Sequence, residues 1–185
     1  MDGPLPLWNG NFTQSCKPPF CVASGSTITL TTTYQAVVPT GNCPWFKAEM
    51  WYPGKLIHIR HEFQTTSAAT PGAFFAALFY GNNSNGNGTS IQSTGLTWTA
   101  NLAGYTAYTE WWVRCWAIGN ASTGLLVGYG ELFMGGIGLL PIPWNTPGSI
   151  AVDLTQDGYL APQYYRSGST AETMQHHDIV YREMN

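Results

Sequence analysis

Charged side chains are what this chain has least of. Residues 63–109 pass without one Lys, Arg, Asp or Glu, and only 9% of the whole sequence is charged, where about 25% is usual. The seven Lys and Arg stand scattered at Lys17, Lys47, Lys55, Arg60, Arg114, Arg166 and Arg182, and the formal net charge is −3. Affinity for nucleic acid rests on neutralising phosphates, so a chain without a basic stripe is not expected to bind DNA or RNA directly. Long apolar runs are missing as well. The longest is residues 73–80, whereas a bilayer-spanning helix needs roughly 20 apolar residues, and no membrane span is expected. The opening Met-Asp-Gly-Pro lacks the basic segment and apolar stretch of a secretory signal, which points to synthesis in a cytosol. There Cys16, Cys21, Cys43 and Cys115 are expected as free thiols. The N-x-Ser/Thr sequons at Asn11, Asn82, Asn87 and Asn120 then read as by-products of a Thr- and Asn-rich composition.

Aromatic and turn-forming residues are plentiful. Aromatics reach 14%, with 21 Gly and 12 Pro among 185 residues, a balance opposite to that of a disordered chain and long enough for one well-filled core. Residues 1–25 place Pro4, Pro6, Pro18 and Pro19 among Leu5, Leu7, Trp8 and Phe12. They read as an extended arm whose apolar side chains lie on the body or on a neighbour. Residues 26–185 are expected to form a single β-sandwich domain.

The strands announce themselves by period. Residues 27–38 are β-branched and hydroxyl-rich, which suits a pleated surface. Residues 46–52 alternate, and Pro53-Gly54 separates them from residues 56–65, which alternate again; together they predict a hairpin. The second of these puts Ile57, Ile59, His61 and Phe63 on one face and His58, Arg60 and Glu62 on the other. Residues 73–80 are apolar on both faces and predict a central strand. The Asn/Gly stretch 81–89 predicts an exposed loop carrying Asn82, Asn83, Asn85 and Asn87. In residues 105–118, Tyr108, Glu110, Trp112, Arg114 and Trp116 share one face, and Ala107, Thr109, Trp111, Val113 and Cys115 the other. Residues 125–134 hold Gly128 and Gly130 in phase, which lets a neighbour or a bulky Trp approach closely. Residues 135–148 read as a long crossover connection, and residues 150–155 and 174–182 as the last strands. About eight or nine strands without intervening helices predict an all-β antiparallel sandwich or jelly roll.

Few groups here suit chemistry. His58, Arg60, His61 and Glu62 form the densest ionisable run, but alternation leaves a single histidine on each face, and a cross-strand polar ladder is expected instead of a metal site. His176, His177 and Asp178 are a second candidate, for a metal or a pH switch shared across a symmetry axis. Glu110 and Glu131 look interior, and two carboxylates across a sandwich cleft are how many glycosidases place acid and nucleophile. The composition is similar to that of the small jelly-roll xylanases, although Thr109-Glu110-Trp111-Trp112 and Gly130-Glu131-Leu132-Phe133 do not match their catalytic strands. Trp51, Trp98, Trp112 and Trp116 are candidates for the stacking platforms of a carbohydrate-binding module; core or interface packing is the competing use of a Trp. With no nucleophile elbow or phosphate loop in the sequence, neither enzymatic activity nor a cofactor is expected.

A Thr-rich first strand leads to a hairpin running into Phe63-Gln-Thr-Thr-Ser-Ala-Ala-Thr-Pro-Gly72. Then come the apolar strand ending at Gly81, a Gly/Asn loop and the strand Glu110-Trp-Trp-Val-Arg114. This order resembles a jelly-roll-like module of the virion proteins of tailed bacteriophages, especially those of actinobacteria. The resemblance implies a virion location and a capsid decoration protein, which binds the outside of the phage head as a homotrimer and stabilises the shell. Its partners would be its own copies and a major capsid protein, reached through Leu5, Leu7, Trp8 and Phe12. The alternative is a receptor- or carbohydrate-binding module of a tail fibre, with a glycan as partner. A small jelly-roll glycoside hydrolase is the second alternative. The lack of heptads favours the capsid role, since tail fibres place a shaft before the tip.

Overall fold

Side chains on successive strand residues point to opposite sides, so a segment alternating apolar and polar can bury one face and wet the other. In the computed structural model, which describes residues 13–15, 27–38, 43–82, 88–143, 150–168 and 171–184, this alternation builds a two-sheet antiparallel sandwich. The strands are β1 (Thr13–Ser15), β2 (Ile28–Thr29), β3 (Gln35–Ala36), β4 (Trp45–Phe46), β5 (Leu56–Thr66) and β6 (Ala73–Gly81). They continue with β7 (Thr89–Thr97), β8 (Tyr105–Ala117), β9 (Leu125–Met134), β10 (Gly138–Ile142), β11 (Gly158–Arg166) and β12 (Thr173–Glu183). A seven-stranded sheet runs β1-β12-β5-β8-β9-β10, with β2 also on β12. A five-stranded sheet runs β3-β11-β6-β7, with β4 also on β11. The all-β sandwich expected from the sequence is the fold observed.

Between the sheets lie the inward residues. Ile57, Ile59 and Phe63 of β5 and Trp111 and Val113 of β8 are buried together with Phe74 and Leu78 of β6 and Leu160 and Tyr164 of β11. Gly130 stands opposite Trp111, and a Cβ there would come within 2.0 Å of the Glu110 carbonyl oxygen. The close approach expected of the in-phase glycines is therefore real at that position. Among the described residues no helix is long and apolar enough to cross a membrane.

Several segments differ from their expected form. Residues 46–52 supply only the end of β4 and a 3-10 turn, Ala48–Met50, so the predicted hairpin does not form. Its turn does, with Gly54 at φ +94° and the Lys55 N–H donating to the Tyr52 carbonyl at 3.0 Å, the geometry Pro-Gly favours. Residues 27–38 yield two short strands, and residues 150–155 only a bridge between Ala151 and Leu125. β10 arises inside the expected crossover, and β7 and β11 arise where no strand was expected. Within the stretch read as an arm, Thr13–Ser15 pairs with β12. Leu5, Leu7, Trp8 and Phe12 lie outside the described residues, as do Asn83, Asn85 and Asn87; Asn82 is exposed.

β11 was hidden by Pro162, because a proline argues against an interior strand. Along this strand the N–H groups of Leu160 and Arg166 point away from β6, donating to Pro44 and Thr31. By alternation the nitrogen of Pro162 faces the same way, into the gap between β4, paired at 158–159, and β3, paired at 163–164. No ladder hydrogen bond is required there, so the proline costs nothing.

Candidate functional site

The outward face of the seven-stranded sheet carries a group of charged and aromatic side chains from neighbouring strands. Register sets them in rows across the strands. Arg60 stands opposite Glu110, and Glu110 opposite Glu131. On one side of this row lie Arg182, His58, Trp112 and Tyr129; on the other lie Asp178, Glu62, Tyr108 and Phe133. The polar ladder expected for His58, Arg60 and Glu62 is thus present, and its facing carboxylate is Glu110. Glu110 and Glu131 are not interior, which corrects the expectation drawn from their apolar neighbours. They are cross-strand partners on the outer face.

Arg60 organises the ionic row. Its Nε donates to Glu62 Oε1 at 2.8 Å and its Nη1 to Glu110 Oε1 at 2.5 Å, while its guanidinium lies 4.0 Å over the Tyr108 ring. Burial, then the Glu131 and Glu110 carboxylates, raises the Tyr108 phenol above its ordinary value. His58 Nε2 sits 3.6 Å from Glu110 Oε2, too far for a hydrogen bond. Burial lowers the pKa of His58 by more than the neighbouring carboxylate raises it, so at neutral pH this contact is not an ion pair.

The rings in the flanking rows pack on one another. Trp112 lies between His58 at 4.9 Å and Tyr129 at 5.1 Å, and Tyr108 stacks on Phe133 at 5.2 Å. Both faces of Trp112 are therefore covered, and its role is to hold β5, β8 and β9 in register. Trp116, further along the same side of β8, is 53% exposed. Trp51 and Trp98 are 3% exposed and belong to the core, so of the four candidate platforms only Trp116 has an open ring. Around it the 52–55 turn is tied to β8 by the Gly54 N–H to the Cys115 carbonyl and the Cys115 N–H to the Lys55 carbonyl, each 2.8 Å. This end of the face carries Arg114, Arg182, Tyr52 and Met184, all exposed.

Other ionisable groups are turned inward. His61 Nδ1 lies 2.6 Å from the Tyr164 hydroxyl and its Nε2 2.9 Å from His176 Nδ1, while Thr109 Oγ1 is 2.8 Å from the same hydroxyl. This chain joins the two sheets through the core. Among the described residues no group of His, Cys, Asp and Glu is arranged to hold a metal ion. Cys43 and Cys115 are buried and not in a disulfide, and burial pushes Cys115 up to about 11. A cleft of about 300 Å³ lies beside Tyr80, Thr89, Asp153 and Asp157. Its carboxylates already serve the loops: Asp153 Oδ1 accepts from Thr155, and Asp157 Oδ1 from the Ala48 N–H.

No protein-family model and no curated protein matches the sequence. Among solved structures, the chain is similar to an alginate lyase from Aplysia kurodai, with a TM-score of 0.42 and 7% identity over 84% of this chain and 81% of that one. It is similar to an alginate lyase solved with an alginate trisaccharide, at 0.35 and 9% over 95% and 99%. A third is a seed lectin of Lotus tetragonolobus, at 0.37 and 8% over 86% and 82%. These likenesses are remote and concern the two-sheet arrangement alone. They do correct one expectation: polysaccharide lyases stand among the similar folds, so the lack of familiar motifs does not exclude catalysis.

Proposed function

We propose that this protein binds a polysaccharide on the outer face of its seven-stranded sheet, with Trp116 as the stacking platform. The observation that carries this reading is the outward row of β8. Tyr108, Glu110, Trp112, Arg114 and Trp116 alternate aromatic with ionised side chains, and the last ring stands open to solvent. A sugar ring has an apolar face and a rim of hydroxyls, so its site needs a flat aromatic surface beside groups that donate and accept. Trp116 offers the surface and Arg114 the donors. The covered rings of Trp112, Tyr129, Tyr108 and Phe133 stiffen the sheet beneath, so little ordering is left to be done on binding.

A glycan array probed with the full chain, followed by titration of its hits, tests the reading. Trp116→Ala should weaken binding at least tenfold while leaving the thermal midpoint in place. If the chain retains no glycan, or Trp116→Ala binds as tightly as the parent, the reading fails.

The resemblance to jelly-roll virion proteins, carried by strand order and composition, supplies a setting for such a face at the tip of a tail fibre. In the capsid-decoration form the protein would be a trimer that sediments with phage heads. Light scattering and cosedimentation test that form, and a monomer that binds glycans but not heads rules it out.

A further inference from the structure

We infer that the glycan is acidic, and that Arg114 and Arg182 hold its carboxylate or sulfate groups at the Trp116 end of the sheet. This inference rests on the glycan-binding reading. It comes from how the chain uses its few cations. Lys47 pairs with Glu49, Lys55 with Glu183, Arg60 with Glu62 and Glu110, and Arg166 with Glu172. Among the described residues that leaves Arg114 and Arg182 without an ion pair, and both are exposed.

Their placement is not scattered. Arg114 projects between Trp112 and Trp116 on β8, opposite Leu56 of β5, and Arg182 of β12 stands opposite His58 of the same β5 strand. The two arginines are thus two strands apart and one outward position out of line. Their Cα atoms lie roughly 12 Å from each other, from a spacing near 4.8 Å between strands and near 3.4 Å along them. A guanidinium meets a carboxylate or sulfate with two parallel N–H donors, a geometry a solvated lysine does not supply. Leu56, opposite Arg114 on β5, and the exposed Met184, opposite Leu56 from the end of β12, add apolar surface near the two cations.

The acidic groups of this face limit where such a polymer can lie. Glu62, Glu110, Glu131 and Asp178 occupy the middle and far rows, and Arg60 neutralises only part of their charge. A polyanion laid along β8 would run over them. One crossing the strands from β12 to β8 meets Arg182, then Arg114 and Trp116, and avoids them.

Binding of the full chain to three polymers decides the matter: a polyuronate, the same polymer with its carboxyls reduced to alcohols, and a sulfated polysaccharide on a neutral backbone. Retention of the polyuronate or the sulfated polymer, lost on carboxyl reduction or at high salt, is expected, and the two charged arms identify the anion. Arg114→Gln and Arg182→Gln should each weaken it about tenfold and Arg114→Lys nearly as much, consistent with loss of a charge-assisted bidentate contact. Both are exposed strand positions, so folding should be unaffected. Equal binding of the reduced polymer, with Arg114→Gln and Arg182→Gln silent and Trp116→Ala disruptive, overturns the acidic-ligand inference and leaves the glycan reading standing. Binding to none of the three by the parent protein, with a blank glycan array, overturns both.

Discussion

His61 of β5 and His176 of β12 meet in the sandwich core, Nε2 to Nδ1 at 2.9 Å, with their rings stacked 5.1 Å apart. Burial holds both below the ordinary histidine value, His61 far below it and His176 at about 4, with His177 adding to the effect on each. Two neutral imidazoles satisfy each other only if one donates and the other accepts. The chain Thr109–Tyr164–His61–His176 therefore runs in one of two opposite directions, each with every ring uncharged.

That pair makes the fold acid-sensitive. In the unfolded chain both rings take up protons near pH 6.5, while in the folded protein they do not. Stability therefore falls as the pH drops below about 6.5 and goes on falling to about pH 4, where folded His176 is protonated as well. Over that window His176 alone contributes a loss of about 3 kcal/mol, at about 1.4 kcal/mol per pH unit. Urea unfolding midpoints measured across this range should fall steeply for the parent and less for His176→Gln. A flat profile in the parent would show that the rings are not buried as neutral groups.

Gly130→Ala should be among the most damaging single-methyl changes. The added Cβ meets backbone, at 2.0 Å from the Glu110 oxygen, and backbone in the middle of a sheet cannot step aside. The expected cost is about 3 kcal/mol or failure to accumulate folded protein. Gly54→Ala serves as a contrast: nothing lies within 4 Å of its Cβ and only its positive φ is strained, so about 1 kcal/mol is expected. Thermal midpoints of the two variants, read side by side, check the ranking.

Lys55 and Glu183 should respond unequally to mutation. The lysine side chain is 1% exposed and its Nζ lies 3.2 Å from Glu183 Oε1, whereas the carboxylate is 16% exposed and also accepts from the Tyr52 hydroxyl. Glu183→Gln leaves a buried cation without its counter-charge and should cost about 3 kcal/mol. Lys55→Met leaves a carboxylate that water and Tyr52 still reach, and should cost about 1 kcal/mol. Denaturant titrations of both variants would refute the burial argument if the order were reversed.

Cys115 is fully buried, with its thiol pushed up to about 11, so it should resist iodoacetamide at neutral pH while the protein is folded and react once urea unfolds it. Mass spectrometry of the labelled peptide gives the answer. Rapid labelling without denaturant would mean that the β8 end of the core opens readily.

How far the fold was legible depended on which residues filled each strand. β5, β8, β9 and β12 bury one face and wet the other, so period two showed in the residues themselves. β7 reads Thr-Ser-Ile-Gln-Ser-Thr-Gly-Leu-Thr, with hydroxyls on both faces and only Ile91, Leu96 and the neighbouring Trp98 buried, so its residues show no strand period. In β11 a proline broke the pattern, and only the gap between β3 and β4 makes it harmless. Residues 46–52 erred the other way. They alternate well, but Ala48–Met50 turns, with the Ala48 N–H bound to Asp157, a residue no local pattern could have brought there.

The candidate site divides along the same line. Strand geometry alone placed Tyr108, Glu110, Trp112, Arg114 and Trp116 together, because the side-chain period of an extended backbone is set by covalent geometry and needs no partner. Sheet order decided the rest: that Glu131 faces Glu110, that Trp112 is covered while Trp116 is not, that Arg182 joins Arg114 on one surface, and that His176 reaches His61. Those pairs lie on different strands, and pairing between distant strands is selected by packing of the whole sandwich, which alternation within any one strand does not encode.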